Sequence, residues 1–127
     1  MTDRPLSSQE LFHSTWSLLH SIAAHFPKSP TEKYQKGYLE FFETFGKIYP
    51  DRQKALKFQE LVKQYPPQVH SREALSIWLC KIHNVFNQDS GKQEFPCRIK
   101  DLDRRWKKGP PECYGEESSY YEEEIVF

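Results

Sequence analysis

The sequence predicts an all-α protein, a four-helix bundle with a short fifth helix across one end. Apolar residues recur at helical spacing in four stretches of comparable length. A capping residue precedes each stretch, and a proline or glycine follows it within a few residues. The connections are short, and a chain of 127 residues that is 37% hydrophobic and 15% aromatic can bury one core. We therefore expect one bundle domain over residues 1–107 and a separate tail over residues 108–127.

The first two helices are predicted from their capping residues and prolines. Ser7 and Glu10 form a capping-box pattern, so the first helix runs from Ser7 to about His25 and stops before Pro27. The second spans Thr31 to Ile48. The expected core face of the first helix is Leu11, Thr15, Leu18, Leu19, Ile22 and Phe26. The second helix is unusually aromatic, and we expect most of its rings in the core: Tyr34, Tyr38, Phe41, Phe42 and Phe45.

The remaining helices follow the same signals. Asp51 can cap a third helix from Arg52 to about Gln64, with apolar contacts from Ala55, Leu56, Phe58, Leu61 and Val62. Ser71 caps the fourth, which ends near Asp89 to Gly91 and has a core face of Leu75, Trp78, Leu79, Ile82 and Phe86. A short fifth helix is expected around Ile99 to Trp106.

The fourth helix also carries an unusual polar stripe. Cys80, His83, Asn84 and Asn87 fall at i, i+3, i+4 and i+7, so they share one helix face. Three interpretations compete. The stripe can be a hydrogen-bonded seam against another helix, or a metal site that uses Cys80, His83, Cys97 and Cys113, although that spacing matches no common zinc module. The third interpretation is a ligand cleft.

A second stripe lies on the first helix. His13, Trp16 and His20 are spaced at i, i+3 and i+7, away from the predicted core face. Taken alone, they are typical of a packed tryptophan with two surface histidines. Beside the polar stripe of the fourth helix, they are the kind of surface on which a planar heteroaromatic ligand stacks.

Charge and hydropathy exclude some functions. The tail, residues 111–127, holds six Glu and no Lys or Arg, so residues 1–110 carry 18 basic and 12 acidic groups, a net charge of +6. The basic residues are scattered, so we expect no nucleic-acid binding. No stretch is apolar enough for a transmembrane segment, and the N-terminus has no hydrophobic signal region. We expect the acidic, aromatic tail to bind a basic and apolar surface of a partner subunit.

Two blocks carry a resemblance to a known family. Residues 78–97, WLCKIHNVFNQDSGKQEFPC, and residues 13–20, HSTWSLLH, resemble the signatures of the Erv/ALR family of FAD-linked sulfhydryl oxidases. The likeness covers roughly residues 8–107. It implies an Erv/ALR-like bundle, a structural disulfide between Cys80 and Cys97, and no metal site. The positions that approach FAD in the family are Trp16, His20, Cys80, His83, Asn84, Asn87, Lys92, Phe95 and Trp106.

Several departures from the family bear on the cofactor. Phe12-His13 replaces the usual Gly-Arg, Asp89 stands where a basic residue is common, and His25 replaces a Tyr. The lost positive charges would have neighboured the pyrophosphate, and Phe12 can intrude where glycine allows close approach. Retention of FAD and a relict cleft filled by side chains both remain open.

The redox-active cysteines of the family are missing. In the family, Tyr-Pro is followed by Cys-x-x-Cys, and here Tyr49-Pro50 is followed by Asp51 and Lys54 at those two positions. An Asp–Lys pair can cap a helix, but it cannot exchange disulfides, so we expect no catalytic residues and no sulfhydryl oxidase activity. The remaining cysteine, Cys113, can be free or paired with another chain.

The resemblance and the missing dithiol together suggest an accessory role. We expect a non-catalytic subunit of a larger complex, such as a mitochondrial membrane or respiratory complex facing the intermembrane space, with vestigial FAD binding. The alternative is an FAD-dependent sulfhydryl oxidase, or another flavoenzyme, with an unusual electron donor. The family also implies the mitochondrial intermembrane space as the location. Family members commonly dimerise through their first helices, so a homodimer is open as well.

Overall fold

The computed structural model describes residues 4–108, and these residues are helical throughout apart from their connections. The helices are α1 (Ser8–Ala24), α2 (Glu32–Ile48), α3 (Arg52–Gln64), α4 (Arg72–Asp89) and the short α5 (Ile99–Leu102). A π-helical segment, Asp103–Lys108, continues directly from α5. The all-α prediction is confirmed. The predicted tail beyond Lys108, which includes Cys113, lies outside the described residues.

Side-chain caps define the start of each long helix. The Ser7 hydroxyl accepts a hydrogen bond from the Glu10 amide at 3.1 Å, while the Glu10 carboxylate accepts one from the Ser7 amide at 2.9 Å. Residues Thr31, Asp51 and Ser71 cap α2, α3 and α4 by the same kind of bond. Because a cap satisfies an amide that otherwise lacks a partner, these residues fix where each helix begins.

The bundle is built from two helix pairs, α1 against α4 and α2 against α3, and the π-helical segment packs on α1. All five residues of the predicted apolar face of α4 are buried. Three side chains predicted in the core are instead exposed: Leu18 by 60%, Phe41 by 39% and Leu56 by 47%. On α1 the buried face is rotated and includes Trp16 and His20.

The segment after α4 folds back onto that helix and is fastened at two points. Cys80 and Cys97 form a disulfide, with Cα atoms 5.6 Å apart. Asn84 donates a hydrogen bond to the Phe95 carbonyl and accepts one from the Phe95 amide, both at 2.9 Å. One buried side chain, that of Asn84, thus pairs both backbone groups of Phe95 in a segment without regular secondary structure.

Across residues 4–108, every helix falls short of the length and apolarity that a membrane crossing requires.

A glycine allows α2 and α3 to pack closely. A Cβ at Gly46 would lie 2.9 Å from Cγ of Gln59 and 3.3 Å from Cδ1 of Phe58. The Gln59 amide also donates a hydrogen bond to the Gly46 carbonyl at 2.7 Å. Gly46→Ala should lower the free energy of unfolding by about 1 kcal/mol, because overpacking by about 1–3 kcal/mol outweighs a helix-propensity gain of about 1 kcal/mol.

Urea unfolding of a double-mutant cycle tests this close packing. In a Gln59→Ala background the crowding Cγ is gone, so Gly46→Ala should be neutral or stabilising there. Equal destabilisation in both backgrounds would show that the contact with Gln59 does not limit the site.

Candidate functional site

Four aromatic rings form a continuous group between α1, α4 and the π-helical segment. Trp16 and His83 are stacked, with ring centroids 4.2 Å apart and planes inclined by 2°. On the other side, Trp106 stacks on His20 with centroids 4.7 Å apart and planes inclined by 13°. Nε2 of His20 lies 2.9 Å from Nδ1 of His83, so one imidazole donates a hydrogen bond to the other. We call Trp16, His20, His83 and Trp106 the ring cluster.

Both imidazoles of the ring cluster are neutral near pH 7. Burial first, and then repulsion by His83 once that ring is protonated and by Arg105, lowers the pKa of His20 from 6.5 to about 3. Burial, the charge of Lys92 and the charge of His13 lower the pKa of His83 from 6.5 to about 4. Each ring loses hydration that its charged form would need, and its neighbours add only positive charge. The cluster therefore presents flat, uncharged surfaces and one shared hydrogen bond.

A cavity of about 150 Å³ adjoins the ring cluster. Seven of the nine residues predicted to approach a cofactor line it: Trp16, His20, Cys80, His83, Asn87, Phe95 and Trp106. An open groove of about 1100 Å³ lies between α1, α3 and α4. The groove shares His13, Trp16, His83 and Asn87 with the cavity and includes the eighth predicted residue, Lys92. We call these two neighbouring spaces together the cleft.

The ninth predicted residue, Asn84, has a different role. It lines neither space, because its side chain is buried and holds the returning segment. It also accepts a hydrogen bond from the Asn87 side chain at 3.2 Å, which orients the latter at the cleft wall. Asn84 thus supports the wall of the cleft without lining it.

The described residues give no support to the metal interpretation. Cys80 and Cys97 form a disulfide, and residues 4–108 hold no group of three His, Cys, Asp or Glu placed to bind an ion.

One buried polar atom of the ring cluster has no hydrogen-bond partner among the described residues. That atom is Nε1 of Trp16. Leaving a buried N–H without an acceptor costs about 1–3 kcal/mol, and an acceptor on a ligand is one way to offset that cost. Stacked rings, an unpartnered donor and a groove containing Lys57 and Lys92 fit a planar heteroaromatic ligand with an anionic chain, such as FAD. Asp89 does not add uncompensated negative charge, because it forms an ion pair with Lys57.

Lys54 lines the groove, and Asp51, one helical turn before it, bonds to both Lys54 and Ser8. The Ser8 hydroxyl donates to the Asp51 carboxylate at 2.6 Å, and Nζ of Lys54 lies 3.1 Å from the same carboxylate. These two hydrogen bonds lower the pKa of Asp51 to about 2. Nζ of Lys54 also lies 5.0 Å from the centroid of the Phe12 ring. The pair serves as a helix cap and ion pair.

Phe12 fills the space between this pair and the ring cluster. Its ring makes edge contacts with Trp16 at 5.8 Å, Tyr49 at 6.0 Å and Phe86 at 5.2 Å between centroids. Phe12 lines the groove and is not among the residues that line the cavity beside Trp106. Its intrusion on a bound cofactor stays a prediction.

The comparisons with known proteins agree with this arrangement. The model of the Erv1/Alr family matches residues 13–107, most of the chain. The chain belongs to the Erv1/Alr family. It is 38% identical over 104 residues to "FAD-linked sulfhydryl oxidase ERV1" of Arabidopsis thaliana, covering 82% of this chain and 53% of that protein. It is 37% identical over 105 residues to "Mitochondrial FAD-linked sulfhydryl oxidase ERV1" of Saccharomyces cerevisiae, covering 83% and 54%.

Solved Erv1 structures share the fold. The crystal structure of the yeast Erv1 core superimposes with a TM-score of 0.81 at 36% identity, covering 86% of this chain and 91% of that one. The FAD-binding domain of Erv1 from Saccharomyces cerevisiae gives a TM-score of 0.78 and covers 83% and 98%. This Erv1/Alr chain spans about half the length of the curated relatives that it matches. The matched Erv1/Alr region includes the whole ring cluster.

Sequence reasoning missed two contributors to the site. Arg105 lies 4.7 Å from the Trp106 ring centroid and helps to keep His20 neutral. Arg72 and Asp103 form an ion pair beside the segment that carries Trp106. The position of Arg105 directly before the predicted cofactor residue Trp106 is a signal that could have identified it. No local signal relates Arg72 to Asp103, because they are 31 residues apart.

Proposed function

We propose that this chain is an FAD-binding flavoprotein of the Erv1/Alr family whose flavin is reduced by a dithiol outside residues 1–127. The observation that carries the proposal is the ring cluster of stacked Trp16–His83 and His20–Trp106 beside a cavity that seven of the nine expected cofactor residues line. Bound FAD supplies the two-electron acceptor for thiol oxidation. The named relatives are sulfhydryl oxidases, which supports this reading over the expected non-catalytic role.

The chain's own residues hold and orient the cofactor in this proposal. Trp16 donates its N–H and, with His83, offers a flat apolar wall, while Trp106 and His20 form the opposite end. Each neutral imidazole has one nitrogen that donates a hydrogen bond and one that accepts, and neither ring takes up a proton near pH 7. Lys92 supplies positive charge for the anionic chain of the cofactor, while the charge of Lys57 is balanced by Asp89.

The electron donor must bring its own pair of thiols. Oxidation of two thiols to a disulfide releases two electrons and two protons, and the positions beside the groove hold a carboxylate and an ammonium instead. Cys80 and Cys97 are joined to each other. The donor dithiol therefore approaches through the open groove, past Phe12 and Lys54.

The first experiment is a visible absorption spectrum of natively purified protein, read as flavin per chain.

The second experiment is the variant Trp16→Phe, which keeps an aromatic ring but removes the N–H. We expect its FAD affinity to fall at least about tenfold, the worth of one buried hydrogen bond. The free energy of unfolding of the cofactor-free protein should change by less than about 1 kcal/mol, since no protein hydrogen bond is lost.

Trp78→Phe is the matched control for that variant. Nε1 of Trp78 donates to the Tyr65 carbonyl at 2.9 Å, so its loss should lower the stability of the cofactor-free protein and leave FAD affinity unchanged. A colourless wild-type protein that binds no added FAD would refute the proposed function.

We also propose a second function, because the residues at the two missing cysteine positions form a structural unit. Asp51 accepts hydrogen bonds from Ser8 and from Lys54. In that function, the chain is an accessory subunit of a mitochondrial complex facing the intermembrane space, bound through its tail. Relatives from two yeasts carry "mitochondrial" in their names, which supports the compartment. Co-purification from mitochondria in a stoichiometric complex, with no flavin bound, would favour this function over the first.

A further inference from the structure

The guanidinium of Arg72 joins three elements at the end of the cleft. It forms two parallel hydrogen bonds with the Asp103 carboxylate, at 2.6 and 3.1 Å. The same group donates to the carbonyl of Ala24, the last residue of α1, at 3.3 Å. The side chains of Arg72 and Asp103 are only 10% and 18% exposed. Two parallel bonds fix the relative orientation of both groups, which a single contact does not.

The position of Arg72 is unfavourable for an isolated helix. It is the first residue of α4, where the helix dipole is positive and disfavours a cation. A buried arginine there needs a compensating carboxylate, and Asp103 provides it from the beginning of the π-helical segment. The pair therefore has a tertiary role and no helix-capping role.

The segment that Asp103 begins closes one end of the cavity. Leu102, just before it, is buried, while Arg105 and Trp106 within it line the cavity. Trp106 lies nearly parallel to His20, and the Arg105 side chain covers the outer face of Trp106. π-helical turns are uncommon and frequently occur at functional sites. The orientation of Trp106 depends on where this segment is held.

We propose that Arg72 is a positioning residue for the cofactor cleft, which acts through Asp103 to hold the π-helical segment so that Trp106 covers His20. This inference rests on the proposed function, because the covered cleft is the one assigned to FAD. Without the ion pair, the arrangement in which Trp106 covers His20 becomes one of several. The observed dissociation constant for the cofactor then rises as the fraction of protein in this binding-competent arrangement falls.

The test uses Asp103→Asn and Arg72→Lys, with Asp101→Asn as the matched control. Arg72→Lys keeps the positive charge but loses the paired bonds. Asp101 lies two residues before Asp103 and pairs with Arg98 at 2.8 Å and with Arg104 at 4.0 Å. Both arginines are exposed and neither lines the cavity, so the loss of Asp101 removes ion pairs outside the cleft. We expect both test variants to release FAD at least about tenfold faster than wild type, with Asp101→Asn unchanged.

A second readout on cofactor-free protein separates positioning from general destabilisation. Burial beneath Trp106 and the charge of Arg105 hold His20 neutral. In folded Asp103→Asn, an NMR titration should therefore show the pKa of His20 moving up toward 6.5, with circular dichroism verifying that the bundle is intact. The pKa of His20 in Asp101→Asn should equal that of wild type.

The outcomes distinguish this inference from the proposed function. If wild-type protein binds no FAD, the proposed function fails, and the His20 titration still decides whether Arg72 and Asp103 position Trp106. If folded Asp103→Asn and Arg72→Lys leave both the His20 titration and any FAD release rate unchanged, the positioning role is refuted. A His20 pKa that rises in both variants but not in the control supports it.

Discussion

Replacing both Asp51 and Lys54 with cysteine is expected to raise the rate of thiol-driven flavin reduction by about a hundredfold or more, because a tethered dithiol acts at a high effective concentration. The two positions are one helical turn apart at the start of α3. A helix N-terminus lowers the pKa of a thiol, so the introduced pair is favoured in its reactive thiolate form. The measurement is oxygen consumption with a small dithiol as reductant, at matched flavin content.

The matched control is the double substitution of Asp51 and Lys54 with serine. It removes the same ion pair and keeps side chains of similar size, and serine still caps α3. Any effect of loosening the groove edge would appear in both variants, whereas the gain from a dithiol would appear only in the first. Equal rates of oxygen consumption in the cysteine and serine variants would contradict the proposal that residues 51 and 54 lie beside the flavin.

A third variant tests whether Phe12 blocks the path between the introduced dithiol and the ring cluster. The Phe12 ring separates Lys54 from Trp16 and contacts both. Adding Phe12→Gly to the cysteine pair should increase the rate again, because it opens the path between the dithiol and the ring cluster. A glycine inside α1 costs about 1 kcal/mol of helix stability, so flavin content must be measured for each variant.

Acidification should destabilise the cofactor-free protein well before its carboxylates titrate. In the unfolded chain, both cluster histidines take up protons below a pKa of 6.5, while in the folded protein the pKa of His20 is about 3 and that of His83 about 4. The unfolded state therefore binds more protons between these values, so the free energy of unfolding falls as pH decreases. From pH 7 to pH 5 we expect a loss of about 1–2 kcal/mol for each histidine.

Urea unfolding at pH 7, 6 and 5 measures this loss. The positive groups facing the pair, Arg105, Lys92 and His13, all oppose protonation of the folded state. His20→Gln should reduce the slope of the free energy of unfolding against pH, because it removes one of the two buried imidazoles. A free energy of unfolding that is constant from pH 7 to pH 5 would contradict the neutral, buried assignment of the two rings.

Helix boundaries could be predicted from the sequence because the signals are local. The caps Ser7, Thr31, Asp51 and Ser71 act within three residues of themselves, so each helix start follows from neighbouring residues. The polar stripe of α4 and the Trp16 stripe of α1 were also local patterns. The family resemblance then related these stripes to a flavin cleft.

Side-chain burial was predicted less well where helices offer more than one apolar face. Leu18, Phe41 and Leu56 have the spacing of core residues, yet all three are exposed. Periodicity identifies an apolar face but does not say which neighbour covers it. The true core face of α1 is centred nearer Trp16 and His20, because α4 and the π-helical segment pack there.

The sequence by itself determined the helices, their caps, the two stripes and the absence of a Cys-x-x-Cys within its 127 residues. Tertiary structure decided how those parts meet. The hydrogen bond between His20 and His83 joins residues 63 positions apart, and the ion pair of Arg72 with Asp103 joins residues 31 positions apart. Neutral imidazoles and a covering tryptophan arise only after α1, α4 and the last segment have packed together, because burial and neighbouring charge are properties of the folded chain.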